Sequence, residues 1–116
     1  IKILQYRINL DIKEFKMATV IIHHQKRMDS EEKPTRADCN TVGSFLLEGS
    51  VDSILDQAWA LTQSHNSAWF ENPDFNKNPD AEPRHRSSCT GDLFEIQGYA
   101  QYKVTSFGFE EIREVA

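Results

Sequence analysis

Arg86-Ser87-Ser88-Cys89-Thr90-Gly91-Asp92, Leu93-Phe94-Glu95-Ile96, Gln97-Gly98-Tyr99, Ala100-Gln101-Tyr102-Lys103-Val104-Thr105 and Ser106-Phe107-Gly108-Phe109-Glu110-Glu111-Ile112 follow one another without a break. They read as an entry turn, a strand, a tight turn, a second strand and an apolar finish. Successive side chains of a strand point to opposite faces. Phe94 and Ile96 therefore share a face with Ala100, Tyr102 and Val104, while Glu95, Gln97, Gln101, Lys103 and Thr105 point outward. Gly98 offers the positive φ that a tight hairpin turn requires. This ribbon predicts a β core near the carboxyl end.

Upstream of it, Ser50 opens a helix. Serine is a favoured N-cap, and Asp52 places a negative charge in the first turn, where the helix dipole stabilises it. Val51, Ile54, Leu55, Ala58 and Trp59 recur at helical spacing and predict an apolar stripe on a helix over 51–65. Between helix and hairpin, residues 66–85 carry Asn72-Pro73, Asn78-Pro79 and Pro83, which oppose regular structure. Trp69, Phe70 and Phe75 lie in this loop. Such rings either fold back onto the core or form an exposed binding surface.

The N-terminal half holds two strand patterns. Leu4, Tyr6, Ile8 and Leu10 alternate with polar residues and predict a half-buried strand over 2–10. Residues 15–22 are rich in apolar and β-branched types, and predict a central strand buried on both faces. Residues 25–40 lack apolar periodicity and predict a long loop. Residues 41–47 predict a short strand, interrupted at Gly43. The sum is a single α+β domain over 1–116: a small antiparallel sheet of about four to five strands, with one main helix packed on one face. Val51, Ile54, Leu55, Ala58 and Trp59 are expected to meet Leu4, Tyr6, Val20, Ile22, Phe94, Ile96, Tyr102 and Val104.

The 116 residues carry a net charge of −5, unevenly spread. Residues 37–83 contain one basic side chain, Lys77, against eight acids: Asp38, Glu48, Asp52, Asp56, Glu71, Asp74, Asp80 and Glu82. Such a block repels nucleic-acid phosphate and attracts basic surfaces, or simply keeps the chain soluble. No apolar run approaches the length of a membrane-spanning helix. Two cysteines, Cys39 and Cys89, with no signal-peptide pattern at the start, suggest a reducing, cytoplasmic compartment.

Leu61-Thr62-Gln63, Trp69, Asn72-Pro73, Arg86-Ser87-Ser88-Cys89-Thr90-Gly91-Asp92, Tyr102, Val104, Gly108-Phe109 and Ile112 together resemble a group of small proteins of bacteriophages and plasmids. Their pattern is a short helix ending in Leu-Thr-Asn, a Trp, Arg-Ser-x-Ser-x-Gly-Asp, and a hairpin finishing in Gly-Phe or Gly-Trp. The end also looks like the C-terminal part of YodL-like domains of mobile elements. The resemblance covers roughly residues 50–113. Gln63 departs from it where Asn is usual, and Cys89-Thr90 departs where Ser and a small apolar residue are usual. It implies a phage or mobile-element setting and carries no activity.

Three kinds of chemistry can be read from the residues. Arg84, Arg86, Ser87 and Ser88 before the Gly91 turn could bind an anion, a phosphate or a nucleotide. Alternatively, Arg86 pairs with Asp92 or the acidic block, and Ser88 makes a local hydrogen bond. His23, His24, His65 and His85 with Cys39 and Cys89 include enough ligand types for zinc, but no CxxC, HxxxH or CxxH spacing occurs. Adjacent His23 and His24 on a strand point to opposite faces, so neither a metal nor a cofactor is expected. A Cys89 nucleophile needs a base that nothing places beside it, and no catalytic residue is assigned. The third kind is protein recognition: Asp52, Asp56, Phe70, Glu71, Asp74 and Phe75 form the expected contact surface for a host or defence protein. A homo-oligomer stays open, and a nucleic-acid partner is disfavoured by the charge.

Overall fold

A computed structural model describes residues 13–26, 39–65 and 67–112. The expected strand over 2–10, and most of the loop over 25–40, lie outside the described residues, as do Leu4 and Tyr6.

The described chain is α+β, with one helix and an antiparallel sheet of six strands, more than the four or five expected. In chain order the strands are β1 (Glu14–Gln25), β2 (Cys39–Ser50), β3 (Asn76–Lys77), β4 (Leu93–Ile96), β5 (Ala100–Thr105) and β6 (Gly108–Ile112), with helix α1 (Val51–Leu61) following β2. Across the sheet the order is β3-β2-β1-β4-β5-β6. No helix among the described residues is long and apolar enough to cross a membrane.

β1 is central, paired with β2 on one side and β4 on the other. It is not buried on both faces. Ala18, Val20 and Ile22 enter the core, but Met17 on the opposite face is exposed and Ile21 is half-buried. A β-branched run gives strand propensity, but what is packed against each face decides its burial. β2 is twelve residues long rather than a short strand over 41–47. Gly43 does not interrupt it: its backbone is extended, and the absent side chain lets the Phe75 ring and the Asn76 carbonyl lie against the strand.

That approach also creates the strand the sequence did not suggest. Asn72-Pro73-Asp74 and Asn78-Pro79-Asp80 form two matching turns. In each, the Asn side-chain oxygen accepts from the Asp backbone N–H, at 2.9 Å and 3.1 Å. Between the turns, Asn76–Lys77 pairs with Gly43–Ser44. Asn78 fastens the segment, its backbone N–H donating to the Val42 carbonyl and its Nδ2 to the Thr41 carbonyl.

α1 begins as expected, with Ser50 Oγ accepting from the Ser53 N–H at 3.2 Å. It ends at Leu61, four residues before the expected boundary. There the Thr62 hydroxyl donates back to the Ala58 carbonyl, and the Thr62 carbonyl accepts from the Ser88 N–H. The chain leaves the helix to meet the Arg86–Cys89 segment. Val51, Ile54, Leu55 and Ala58 form the buried stripe, but Trp59 is 37% exposed. At 100° per residue the stripe continues from Ala58 to buried Thr62, which leaves Trp59 at its margin. The helix packs chiefly on β2 and less on β1.

Trp69 and Phe75 are buried in the same core, with ring centroids 4.8 Å apart. Phe70 is half-buried, edge-on to Trp69 at 6.0 Å. The aromatic loop therefore folds back as one of its two readings required.

Candidate functional site

The Arg84–Gly91 segment does surround an anion, and that anion is Asp92. Its carboxylate is wholly buried. Arg86 donates to both oxygens, Nη1 to Oδ2 at 2.6 Å and Nη2 to Oδ1 at 2.7 Å. The backbone N–H of Cys89 adds a bond to Oδ2 at 2.7 Å, and that of Gln25 one to Oδ1 at 2.9 Å. A two-pronged guanidinium and two backbone N–H groups are the donors a bound phosphate would need. Here they are spent on the chain's own side chain.

The other residues of the expected anion site are likewise engaged. Ser87 Oγ accepts from the Ser64 N–H, and Ser88 Oγ lies 3.0 Å from His24 Nε2. The Gly91 carbonyl accepts from Gln25 Nε2 at 2.8 Å, and its N–H donates to the Val104 carbonyl. At Gly91 φ is +97°, and a Cβ would run into the Gln25 carboxamide. This position therefore requires glycine both for conformation and for space. Arg84 stays exposed and takes no part. The segment is a lock: it ties α1, through Thr62 and Gln63, to β1, through His24 and Gln25.

Ser88, His24 and Asp92 are a hydroxyl, an imidazole and a carboxylate in one place, yet they cannot act as a relay. Ser88 Oγ and Asp92 Oδ2 both lie on the Nε2 side of the ring, at 3.0 Å and 3.9 Å. A relay needs one partner on each ring nitrogen. Burial, helped by the nearby Arg86 charge and opposed by Asp92, pushes the His24 pKa down to about 4. Burial also lowers His85, and it raises the Cys89 thiol away from the reactive thiolate. The hydrogen bond to Asp92 raises Arg86 further. His23 faces the opposite side of β1 from His24, as strand alternation demands, with Nε2 2.9 Å from Glu95 and Nδ1 2.9 Å from the Thr41 hydroxyl. Among the described residues no cluster of three His, Cys, Asp or Glu side chains could hold a metal ion.

A second region has the shape of a binding site. α1 packs on the β1–β2 half of the sheet, and among the described residues a concave surface lies beside it against β4–β6, where Ile96 and Tyr102 are themselves buried and Ala100 and Phe109 half-buried. The result is a groove of about 1230 Å³. Ile96, Ala100, Tyr102 and Phe109 line the sheet side; Val51, Asp52, Leu55 and Asp56 line the helix side. Tyr99 and Phe107 stand at its ends on the two hairpin turns. The Thr105 hydroxyl shapes the second turn, accepting from the Phe107 N–H and donating to the Gly108 carbonyl. That turn holds the Phe107 ring fully in solvent.

The expected partner-contact residues divide between two places. Asp52 and Asp56, four residues apart on one helix face, border the groove. Phe70, Glu71, Asp74 and Phe75 lie before β3, at the sheet edge opposite β6. Phe75 is only 5% exposed and presents no face to a partner, whereas Glu71 and Asp74 are exposed. Tyr99 and Phe107 are groove residues that sequence reasoning did not single out, and Phe109 entered there only through the resemblance. The signal for Phe107 is an apolar residue in a hairpin turn, where no strand partner can cover it.

No protein-family profile, curated protein or solved structure matches the chain.

Proposed function

We propose that this chain is a small non-enzymatic binding module that engages a host or defence protein, in the setting of a phage or other mobile element. The observation that carries the reading is the open groove with a fully exposed Phe107 at its mouth. An aromatic held in solvent by a shaped turn is the kind of anchor that protein interfaces use. The acidic surface supports a basic partner. Glu48, Asp52, Asp56, Glu71, Asp74, Asp80 and Glu82 are all exposed, and a complementary field speeds association. The mobile-element setting, and with it a role in inhibiting a host defence, comes from the resemblance of residues 50–113.

The alternative of a phosphate or nucleotide bound at Arg84–Gly91 is weakened by Asp92, which already takes the donors such a ligand would use. A nucleic-acid partner is opposed by the same acidic surface. Affinity capture from a bacterial lysate, eluted by a salt gradient, tests the proposal. A discrete partner released by salt is expected. Recovery of no salt-sensitive partner overturns it.

A further inference from the structure

We infer that the groove between α1 and β5–β6 receives a polypeptide segment in which bulky apolar residues are flanked by lysine or arginine. The inference rests on the binding-module reading and specifies its ligand.

Size comes first. Small-molecule sites typically enclose about 300–1000 Å³. The groove, at about 1230 Å³ and open along its length, is larger than these. It suits a chain segment several residues long better than a compact metabolite.

Charge comes second. Among the described residues no lysine, arginine or histidine lines the groove, whereas four carboxylates, Asp52, Asp56, Glu95 and Glu111, do. Of these, Glu95 is turned to His23 on the other face of the sheet. Asp52 and Asp56 are exposed and repel one another across one helical turn. A cation set between them removes that repulsion. The rims add aromatic faces, Tyr99 and Phe107, over which a guanidinium or ammonium is favourably placed. Between the rims, half-buried Ala100 and Phe109 then meet an aliphatic or aromatic side chain.

The probe is the acetylated, amidated heptapeptide Lys-Leu-Lys-Phe-Lys-Leu-Lys, with a counterpart carrying Glu for every Lys. In an amide-resolved NMR titration the basic peptide is expected to shift residues 51–56, 96–102 and 107–112. The acidic one should shift none of them. The double variant Asp52→Asn/Asp56→Asn should weaken binding by about tenfold, in line with the loss of close charge pairs at an interface. Phe107→Ala, at a position outside the core, should weaken it several-fold with an unchanged melting temperature. Equal response to both peptides, shifts centred on residues 71–82, or undiminished affinity in both variants would overturn the inference.

The lysate experiment separates this from the broader reading. If the double variant and Phe107→Ala capture the same partner as the wild type, the groove is not the site, although the module still binds. If the wild type captures nothing while the basic peptide binds the groove, the groove's ligand class stands and the host-partner reading falls.

Discussion

Replacing Asp92 by asparagine barely changes the size of the side chain, but it removes the charge on which four hydrogen bonds converge. In the wild type, Arg86 holds both carboxylate oxygens at 2.6 Å and 2.7 Å, and the N–H groups of Cys89 and Gln25 complete the set. An asparagine amide has one oxygen. Its NH2 group must face donors on one side, so at least one donor pair is left opposed. Breaking a fully buried ion pair costs about 3–5 kcal/mol. Arg86 is 27% exposed and recovers some hydration, which places the expected loss near the lower end, about 3 kcal/mol. Domains of this size are stable by about 5–15 kcal/mol, so the variant should still fold. Its melting temperature should fall by roughly 10 °C or more. Urea unfolding at pH 7 of wild type, Asp92→Asn, Arg86→Met and the double variant measures the loss and its coupling. The double variant should lose less than the two single losses summed, because it leaves no orphaned charge. A loss below about 1 kcal/mol for Asp92→Asn, or strict additivity, would refute the lock.

Two further outcomes follow from the same structure. His24 titrates near 4 in the fold against 6.5 when unfolded. The unfolded chain therefore binds the extra proton in that window, and stability must fall as pH drops from about 6.5 to about 4, by up to about 3 kcal/mol. Urea midpoints across this range should show the slope, and His24→Leu should flatten it. Gly43→Ala puts a methyl where the Phe75 ring and the Asn76 carbonyl now lie. The backbone there has φ +159°, which side-chain-bearing residues rarely adopt, so strain adds to crowding against a backbone carbonyl, and the cost is at least about 1–3 kcal/mol, read as a lower urea midpoint with loss of amide protection in β3.

Local rules account for the elements that were legible. Ser50 caps α1 because its hydroxyl reaches a backbone N–H three residues ahead, a contact within one turn of chain. The β4–β5 hairpin follows from period-two alternation around Gly98, whose φ is +78°. Trp59 defeated the pattern because one residue of rotation separates a stripe from its margin, and only the packed neighbour shows where the margin falls. β3 was illegible for a different reason. Two residues make a strand only when a partner edge is present, and that edge belongs to a segment more than thirty residues earlier. The anion site was half legible: Arg86 stood among the expected donors and Asp92 among its candidate partners, but Ser87 and Ser88 bond elsewhere, the Gln25 N–H comes from a distant strand, and chain distance could not choose between an internal and an external anion.

From its order of side chains alone, then, this polypeptide declares an α+β class, a capped amphipathic helix, a closing β ribbon and an acidic middle. These depend on contacts within a few residues, where spacing is geometry. Which carboxylate fills the arginine turn, which aromatics are hidden and where the groove opens are settled only by the packed chain. Each depends on groups far apart in sequence competing for one place.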